Sequence, residues 1–180
     1  MQVQFIKWLA VFIVISAMSS NAGAKQYTVS SPDEYNAIAS SLKAGDDVIL
    51  QNGVYRDFEI LLVGQGSAEK PITLTAQTKG KVILSGRSNL KLAGQYLEVS
   101  GLVFKDGYTP SSAVIAFRKD AQTPANYSRV SEVVIDEYSN PDRQESDYWV
   151  ALYGKHNRFD HNHLTGKRNK GVTVAVRLNG

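Results

Sequence analysis

The sequence contains no cysteine and only five prolines among its 180 residues. Without cysteine, the chain has no disulfide bond, no thiol nucleophile and no cysteine-ligated zinc or iron–sulfur centre. Its main apolar run, Trp8–Met18, has eleven residues, whereas a helix that crosses a bilayer needs about 20. Charged residues make up 21% and hydrophobic residues 43% of the chain, which is the composition of a folded protein and not of a disordered one.

The N-terminal segment has the pattern of a secretory signal peptide. The single positive charge of Met1–Lys7 precedes the apolar run, and Ala22-Gly23-Ala24 has the small-x-small form that signal peptidase cleaves. A membrane anchor is the alternative, but the apolar run is too short for one. We therefore predict a signal peptide over residues 1–24 and a secreted or periplasmic protein.

One helix is predicted close to the start of the remaining chain. Ser31-Pro32-Asp33-Glu34 combines an N-cap serine, a proline suited to the first helical position and the glutamate of a capping box. Gly45 is the predicted C-terminal stop. The apolar residues between these signals are spaced to share one face of a helix: Tyr35, Ile38, Ala39 and Leu42.

The rest of the chain consists of short runs rich in β-branched residues, separated by Gly, Asn, Asp and Ser. These runs are Val48–Leu50, Phe58–Val63, Ile72–Ala76, Val82–Leu84, Leu97–Phe104, Val114–Phe117, Val130–Ile135, Trp149–Tyr153 and Val172–Leu178. An antiparallel sandwich would account for such strands. It would not account for a repeat within them.

Three segments repeat an apolar pattern at positions 0, +3 and +5, although an asparagine takes the middle position of the third. They begin at Val99, Val130 and Phe159, which are 31 and 29 residues apart. Repeats of about 20–50 residues made of short strands are typical of solenoids. We predict an all-β fold, a right-handed single-stranded parallel β-helix, with the early helix capping its N-terminal end.

The last predicted strand, Val172–Leu178, ends two residues before the end of the sequence. A solenoid needs a cap at each end of its stack of coils. We therefore expect residues 25–180 to be the N-terminal part of a longer β-helix domain that is truncated at its C-terminus.

Positive charge is concentrated between Val150 and Gly180, where six lysines and arginines accompany one acidic residue, Asp160. Such a patch attracts a polyanion, although a solvated face of a solenoid fits the same pattern. Lys167 and Asn169 lie in a basic loop bounded by glycines, and Arg177 lies on the strand that follows. Arginine binds carboxylates bidentately; a surface salt link is the alternative for this residue.

The three histidines, His156, His161 and His163, fall in the same stretch. Their spacing does not match the zinc-binding His-x-x-x-His pattern. We predict that they pack between coils or contact substrate, and we assign no metal ligand. The side-chain amide of Asn162 is predicted to bond the backbone or the neighbouring coil at a turn.

Several segments, in their order and spacing, resemble the N-terminal portion of the polysaccharide lyase family that contains alginate lyases and chondroitinase B. The segments are Gly45–Tyr55, Lys70–Leu74, Leu102–Gly107, Asn157–Lys167 and Val174–Gly180. The run Asn162–Gly171, followed by Val-Arg-Leu-Asn, is more similar to the alginate lyases than to the dermatan-degrading branch.

The resemblance implies a lyase that cleaves alginate, an anionic uronate polysaccharide, by β-elimination. In this family a calcium ion on oxygen ligands neutralises the substrate carboxylate, a lysine removes the C5 proton and an arginine lies near the leaving oxygen. These groups lie on coils after the strand that ends this sequence. No residue of this chain is therefore assigned as catalytic or as a calcium ligand, and the 180-residue chain is expected to be inactive alone.

Lys167, Asn169 and Arg177 are the predicted substrate-binding residues, flanking the groove for the anionic polysaccharide. Two alternatives stay open: a non-catalytic β-helix module that binds acidic polysaccharide through its basic end, and a lyase of dermatan sulfate like chondroitinase B. No nucleic-acid partner is expected, and no membrane contact after signal cleavage.

Overall fold

The computed structural model describes residues 23–177. Nearly all of the predicted signal peptide, and the last three residues, lie outside the described residues. The described chain forms one helix, α1 (Pro32–Ala39), and seventeen strands in three sheets. None of its helices has the length and apolar character needed to cross a membrane.

The strands are numbered in chain order, and each belongs to one of three sheets, A, B and C. Sheet A contains β1 (Gln26–Val29), β2 (Asp47–Leu50), β5 (Ile72–Ala76), β8 (Leu97–Ser100), β12 (Arg129–Ser131) and β15 (Arg158–Asp160). Sheet B contains β3 (Gly53–Arg56), β6 (Val82–Gly86), β9 (Leu102–Gly107), β13 (Val134–Asp136) and β16 (His163–Thr165). Sheet C contains β4 (Glu59–Gln65), β7 (Asn89–Gln95), β10 (Ala113–Ala116), β11 (Ala125–Asn126), β14 (Tyr148–Leu152) and β17 (Val174–Val176).

Each coil of the chain contributes to sheet A, then to sheet B, then to sheet C, and pairs with the next coil in parallel. The vertical register of sheet A shows this stacking: Val48, Leu74, Val99, Val130 and Phe159 lie one above the other. Apolar residues in such columns fill the interior as one continuous core. The predicted parallel β-helix is confirmed.

The repeat found in the sequence is this vertical register. Its first positions pair in sheet A and its last positions, Phe104, Ile135 and Leu164, pair in sheet B. The runs Leu97–Phe104 and Val130–Ile135 are each two strands and not one, because the chain turns a corner at Gly101 (φ 81°) and at Glu132 (φ 57°).

The same corner in the next coil is His161, with φ 58°. His161 therefore lies at the corner and His163 begins strand β16, so the two histidines do not alternate along a single strand.

Asn162 fastens this corner to the coil before it, as the sequence predicted. Its Oδ1 accepts a hydrogen bond from the Val133 backbone N–H at 2.8 Å, and its Nδ2 donates to the Val130 carbonyl at 3.1 Å. The side chain thus satisfies two backbone groups at a turn where the ladder between coils is interrupted.

Replacing Asn162 with alanine is expected to lower the free energy of unfolding by about 1–3 kcal/mol, because the Val133 N–H and the Val130 carbonyl lose their partner. Chemical denaturation of both proteins measures the difference. His163→Ala is the matched control, since this neighbouring side chain is exposed. Equal destabilisation by both variants would contradict the role given to the asparagine.

Helix α1 covers the N-terminal end of the core. Ser31 Oγ accepts a hydrogen bond from the Glu34 N–H at 3.2 Å, while the Glu34 carboxylate accepts one from the Ser30 N–H at 2.6 Å. Tyr35 is buried and packs edge-on against Phe58 with ring centroids 5.5 Å apart. The predicted cap and its first turn are confirmed.

The end of the helix differs from the prediction. It stops at Ala39, well before Gly45. The Ile38 carbonyl accepts hydrogen bonds from both the backbone N–H and the hydroxyl of Ser41, each within 2.9 Å. A serine side chain that bonds a nearby carbonyl offers the backbone an alternative to the helix.

Candidate functional site

The outer face of sheet C carries small and basic side chains. Ile60 and Leu62 point into the core, so the residues that alternate with them point outward. One outward column runs through β4, β7, β10, β14 and β17: Leu61, Lys91, Ala116, Ala151 and Ala175. These three alanines, called the alanine floor below, are only 8%, 1% and 9% exposed, because Tyr148 and Tyr153 pack against Ala116 and Ala151.

A short excursion of the chain places two cations over this floor. The chain leaves sheet C after Phe117 and returns at Ala125, whose N–H donates to the Phe117 carbonyl at 2.8 Å. The loop between them, residues 118–124, carries Arg118 and Lys119. The guanidinium carbon of Arg118 lies 3.7 Å from the ring centroid of Tyr153, a close cation–π contact.

A second arginine–tyrosine pair lies at the last described coil. Arg177 Nη1 donates a hydrogen bond to the Tyr148 hydroxyl at 3.0 Å, with the guanidinium carbon 5.4 Å from the ring centroid. Arg177 is exposed. Such a pair fixes the plane of the guanidinium and leaves further N–H groups to bind a carboxylate.

Arg118, Tyr148 and Tyr153 were not singled out from the sequence. The partners of each pair are more than 25 residues apart and meet only because successive coils stack. The available signal was the placing of two tyrosines at the ends of the apolar run around Trp149.

Lys167 and Asn169, both predicted to bind substrate, converge on Asp147. Lys167 Nζ donates to Asp147 Oδ1 at 2.7 Å and to Asn169 Oδ1 at 2.8 Å. Asn169 Nδ2 donates to Asp147 Oδ2 at 2.7 Å. The Lys167 and Asp147 side chains are only 8% and 7% exposed.

This buried cluster joins the loop 166–171 to Asp147, just before β14. Lys167 Nζ also lies 5.9 Å from the ring centroid of Trp149. A substrate contact by Lys167 or Asn169 stays a prediction. Of the three predicted residues, Arg177 has its side chain exposed beside the alanine floor.

The basic run between residues 150 and 180 does not form one patch in the described chain. Arg158 pairs with Asp160 on sheet A at 3.2 Å, Lys167 is buried against Asp147, and Arg168 pairs with Glu137. The cations on the outer face of sheet C are instead drawn from distant parts of the sequence: Arg118 and Arg177 against Tyr153 and Tyr148, and Lys91 and Lys119 in a pocket over β4 and β7.

The histidines have different neighbours. His156 stacks on Tyr127 at 4.6 Å between ring centroids, and Tyr127 stacks on Tyr96 at 5.0 Å. This column joins successive coils, which confirms the packing role predicted for His156. His161 Nδ1 is 2.8 Å from Asp160 Oδ2.

Residues 23–177 contain no group of three His, Cys, Asp or Glu side chains able to hold a metal ion. They do not fit the oxygen-rich ligand set that calcium needs. The calcium ion implied by the resemblance stays a prediction.

Asp160 forms a bidentate pair with Arg129 on the outer face of sheet A. Arg129 Nε donates to Oδ1 at 2.8 Å and Nη2 to Oδ2 at 2.7 Å. These hydrogen bonds from Arg129 hold the pKa of Asp160 far below its ordinary value. A carboxylate with a lowered pKa in the folded state adds stability above its ordinary pKa and loses it as the pH falls toward the folded value.

Asp160→Asn is therefore expected to lower the melting temperature most at neutral pH. The difference from the unmodified protein should shrink as the pH falls below about 4, the ordinary carboxyl pKa. Thermal melts from neutral to strongly acid pH test this, with Glu69→Gln, an exposed carboxylate in the loop between β4 and β5, as control. A difference that does not depend on pH would contradict the pairing.

Comparisons with known proteins agree with this architecture. The chain matches the solved structure of the PL6 family alginate lyase AlyGC with 59% identity and a TM-score of 0.84, over 86% of this chain and 21% of that one. It matches a mannuronic acid specific polysaccharide family 6 lyase from human gut microbiota with 33% identity and a TM-score of 0.76, over 84% of this chain and 36% of that one.

A third solved structure is the PL6 family polysaccharide lyase Pedsa3628 from Pseudopedobacter saltans. It has 30% identity and a TM-score of 0.63, over 77% of this chain and 36% of that one. The chain thus spans between about a fifth and about a third of these relatives. A search of curated proteins finds no match.

The family comparison covers almost the whole chain. The sequence model described as Chondroitinase B matches residues 29–180, which include nearly every strand of the coils and the outer face of sheet C. The chain therefore belongs to the chondroitinase B family of polysaccharide lyases.

Proposed function

We propose that this protein is a secreted alginate lyase that cleaves its substrate by β-elimination, and that the coils of residues 23–177 bind the polysaccharide. The observation that carries the proposal is the outer face of sheet C, where Arg118 and Arg177 are each held against a tyrosine ring beside the alanine column, in a chain that belongs to a polysaccharide lyase family. The alginate lyase at 59% identity supports alginate as the substrate.

The face has the chemistry that a polyuronate requires. Every sugar of such a chain carries a carboxylate, and Arg118 and Arg177 each offer a guanidinium held against a tyrosine ring. Each guanidinium can pair with one carboxylate of the polymer and so hold it in place.

In this proposal the described residues bind and orient the polymer. The groups that move the proton, and the calcium ion that would neutralise the carboxylate, belong to residues outside 23–177. Secretion follows from the predicted signal peptide of residues 1–24.

A second candidate is a non-catalytic module that binds acidic polysaccharide. The outer face fits this candidate as well, because Arg118 and Arg177 supply binding contacts and no described residue is assigned a catalytic role. Dermatan sulfate is the alternative substrate, since the family is described by an enzyme named for a chondroitin substrate.

The test incubates the full-length gene product with alginate and, separately, with dermatan sulfate, and follows the ultraviolet absorbance of unsaturated uronate products. Binding is measured in parallel by retardation in gels that contain each polymer, with neutral dextran as control. Product from alginate supports the lyase, retardation without product supports the module, and product from dermatan sulfate alone would overturn the substrate assignment.

A further inference from the structure

A pocket of about 320 Å³ opens at the opposite end of sheet C from Arg177, over the first two strands of the sheet. It is lined by Glu59, Ile60 and Leu61 of β4, Asn89 and Lys91 of β7, and Lys119 of the loop 118–124. Two strands, β10 and β14, lie between β7 and β17. At about 4.8 Å per strand, the pocket lies about 15 Å from the Arg177 end.

One wall of the pocket carries an unsatisfied hydrogen-bond acceptor. Asn89 is fully buried, and its Nδ2 donates to Glu59 Oε2 at 3.0 Å and to Ser111 Oγ at 3.2 Å. Its Oδ1 has no partner, and it is the one buried side-chain polar atom in residues 23–177 with none. Since an ionised carboxylate only accepts, Glu59 holds the amide in this orientation and Oδ1 stays free.

The same pocket presents two amines. The ammonium groups of Lys91 and Lys119 have no hydrogen-bond or ion-pair partner within the described chain. Together with Glu59 and Asn89 they give a site with two cations and two kinds of oxygen acceptor.

This combination selects among ligands. A metal cation would be repelled by the two lysines, while a bare inorganic anion would offer no donor to the Glu59 carboxylate. A sugar acid suits the whole lining, because its carboxylate pairs with the lysines and its hydroxyl groups donate to Glu59.

We infer that the pocket bounded by Glu59, Asn89, Lys91 and Lys119 is a remote subsite that binds one uronate residue of a long polysaccharide chain. The inference rests on the proposed function, since the alanine floor connects this pocket to the Arg177 end of the same face. A long polymer reaches both ends of sheet C. A short oligosaccharide held at the Arg177 end does not reach the pocket.

The test compares the affinity of the full chain for a short oligouronate and for alginate polymer, in the unmodified protein and in the Lys91→Gln/Lys119→Gln variant. The variant is expected to lose at least about tenfold in affinity for the polymer, the loss that removal of one charge-assisted contact produces, and to bind the short oligouronate as before. Lys81→Gln is the matched control, because this lysine is exposed next to sheet B.

A second variant, Asn89→Asp, keeps the shape of the side chain but places a negative charge against Glu59. It is expected to lower the affinity for the polymer and to leave the affinity for the short oligouronate unchanged. Thermal melts identify any loss of folding in either variant.

Equal weakening of short and long ligands by the lysine variant would overturn the subsite, because it would indicate a general electrostatic effect. Unchanged polymer affinity would overturn it as well. These outcomes differ from failure of the proposed function, in which the unmodified protein would bind neither ligand.

Discussion

Replacing Arg118 and Arg177 together with alanine is expected to lower the affinity for alginate about 100-fold. Each guanidinium makes charge-assisted hydrogen bonds to a substrate carboxylate in the proposed complex, and such bonds contribute about 1.5–3 kcal/mol each, or about tenfold or more in the dissociation constant. Each single variant should lose about half of this free energy, because the two sites lie on different coils and do not share a partner.

The measurement is a calorimetric titration with an alginate oligosaccharide series that is long enough to cover both arginines. Arg177→Lys separates geometry from charge, since lysine keeps the charge but not the planar pair of donors. Arg56→Ala is the matched control, an exposed arginine on sheet B. Unchanged affinity in the double variant would remove the outer face of sheet C from the binding site.

Lys167→Met is expected to lower the free energy of unfolding by about 3–5 kcal/mol, because it leaves the Asp147 carboxylate buried without its cation. Asp147 would keep the hydrogen bond from Asn169 Nδ2, which does not neutralise the charge. Since a domain is stabilised by only about 5–15 kcal/mol, a loss of this size would be visible as a large fall in the denaturation midpoint.

The double variant Asp147→Asn/Lys167→Met removes both charges and is expected to recover most of the lost stability. Lys155→Met serves as control, because this lysine is exposed in the turn after β14. A Lys167→Met protein as stable as the unmodified one, with weaker alginate binding, would instead support the substrate contact predicted for Lys167.

The aromatic and apolar spacing was sufficient to predict how the chain folds. The interval between Val99, Val130 and Phe159 is the length of one coil, and stacking identical positions buries the same kind of residue each time. Ser31 and Pro32 likewise mark the start of α1 because capping depends on residues a few positions apart. These features are local or periodic, so they can be recognised along the sequence.

The site was predicted less completely, because its members are brought together by stacking across coils. Arg118 contacts Tyr153, and Lys91 and Lys119 line one pocket. Both arrangements form only because β7, β10 and β14 lie side by side in the folded chain. The charge run near the end of the sequence indicated a basic surface, but Lys167 lies buried against Asp147.

The β-helix, its N-terminal helix and the repeating part of the chain could thus be predicted from the order of the residues, because periodic burial needs no knowledge of distant neighbours. Which cations lie on the outer face of sheet C, and which are neutralised by a carboxylate, depends instead on how the coils stack. The reason is that a charge acts over a few ångströms in space, and those distances depend on the register of coils about 30 residues apart.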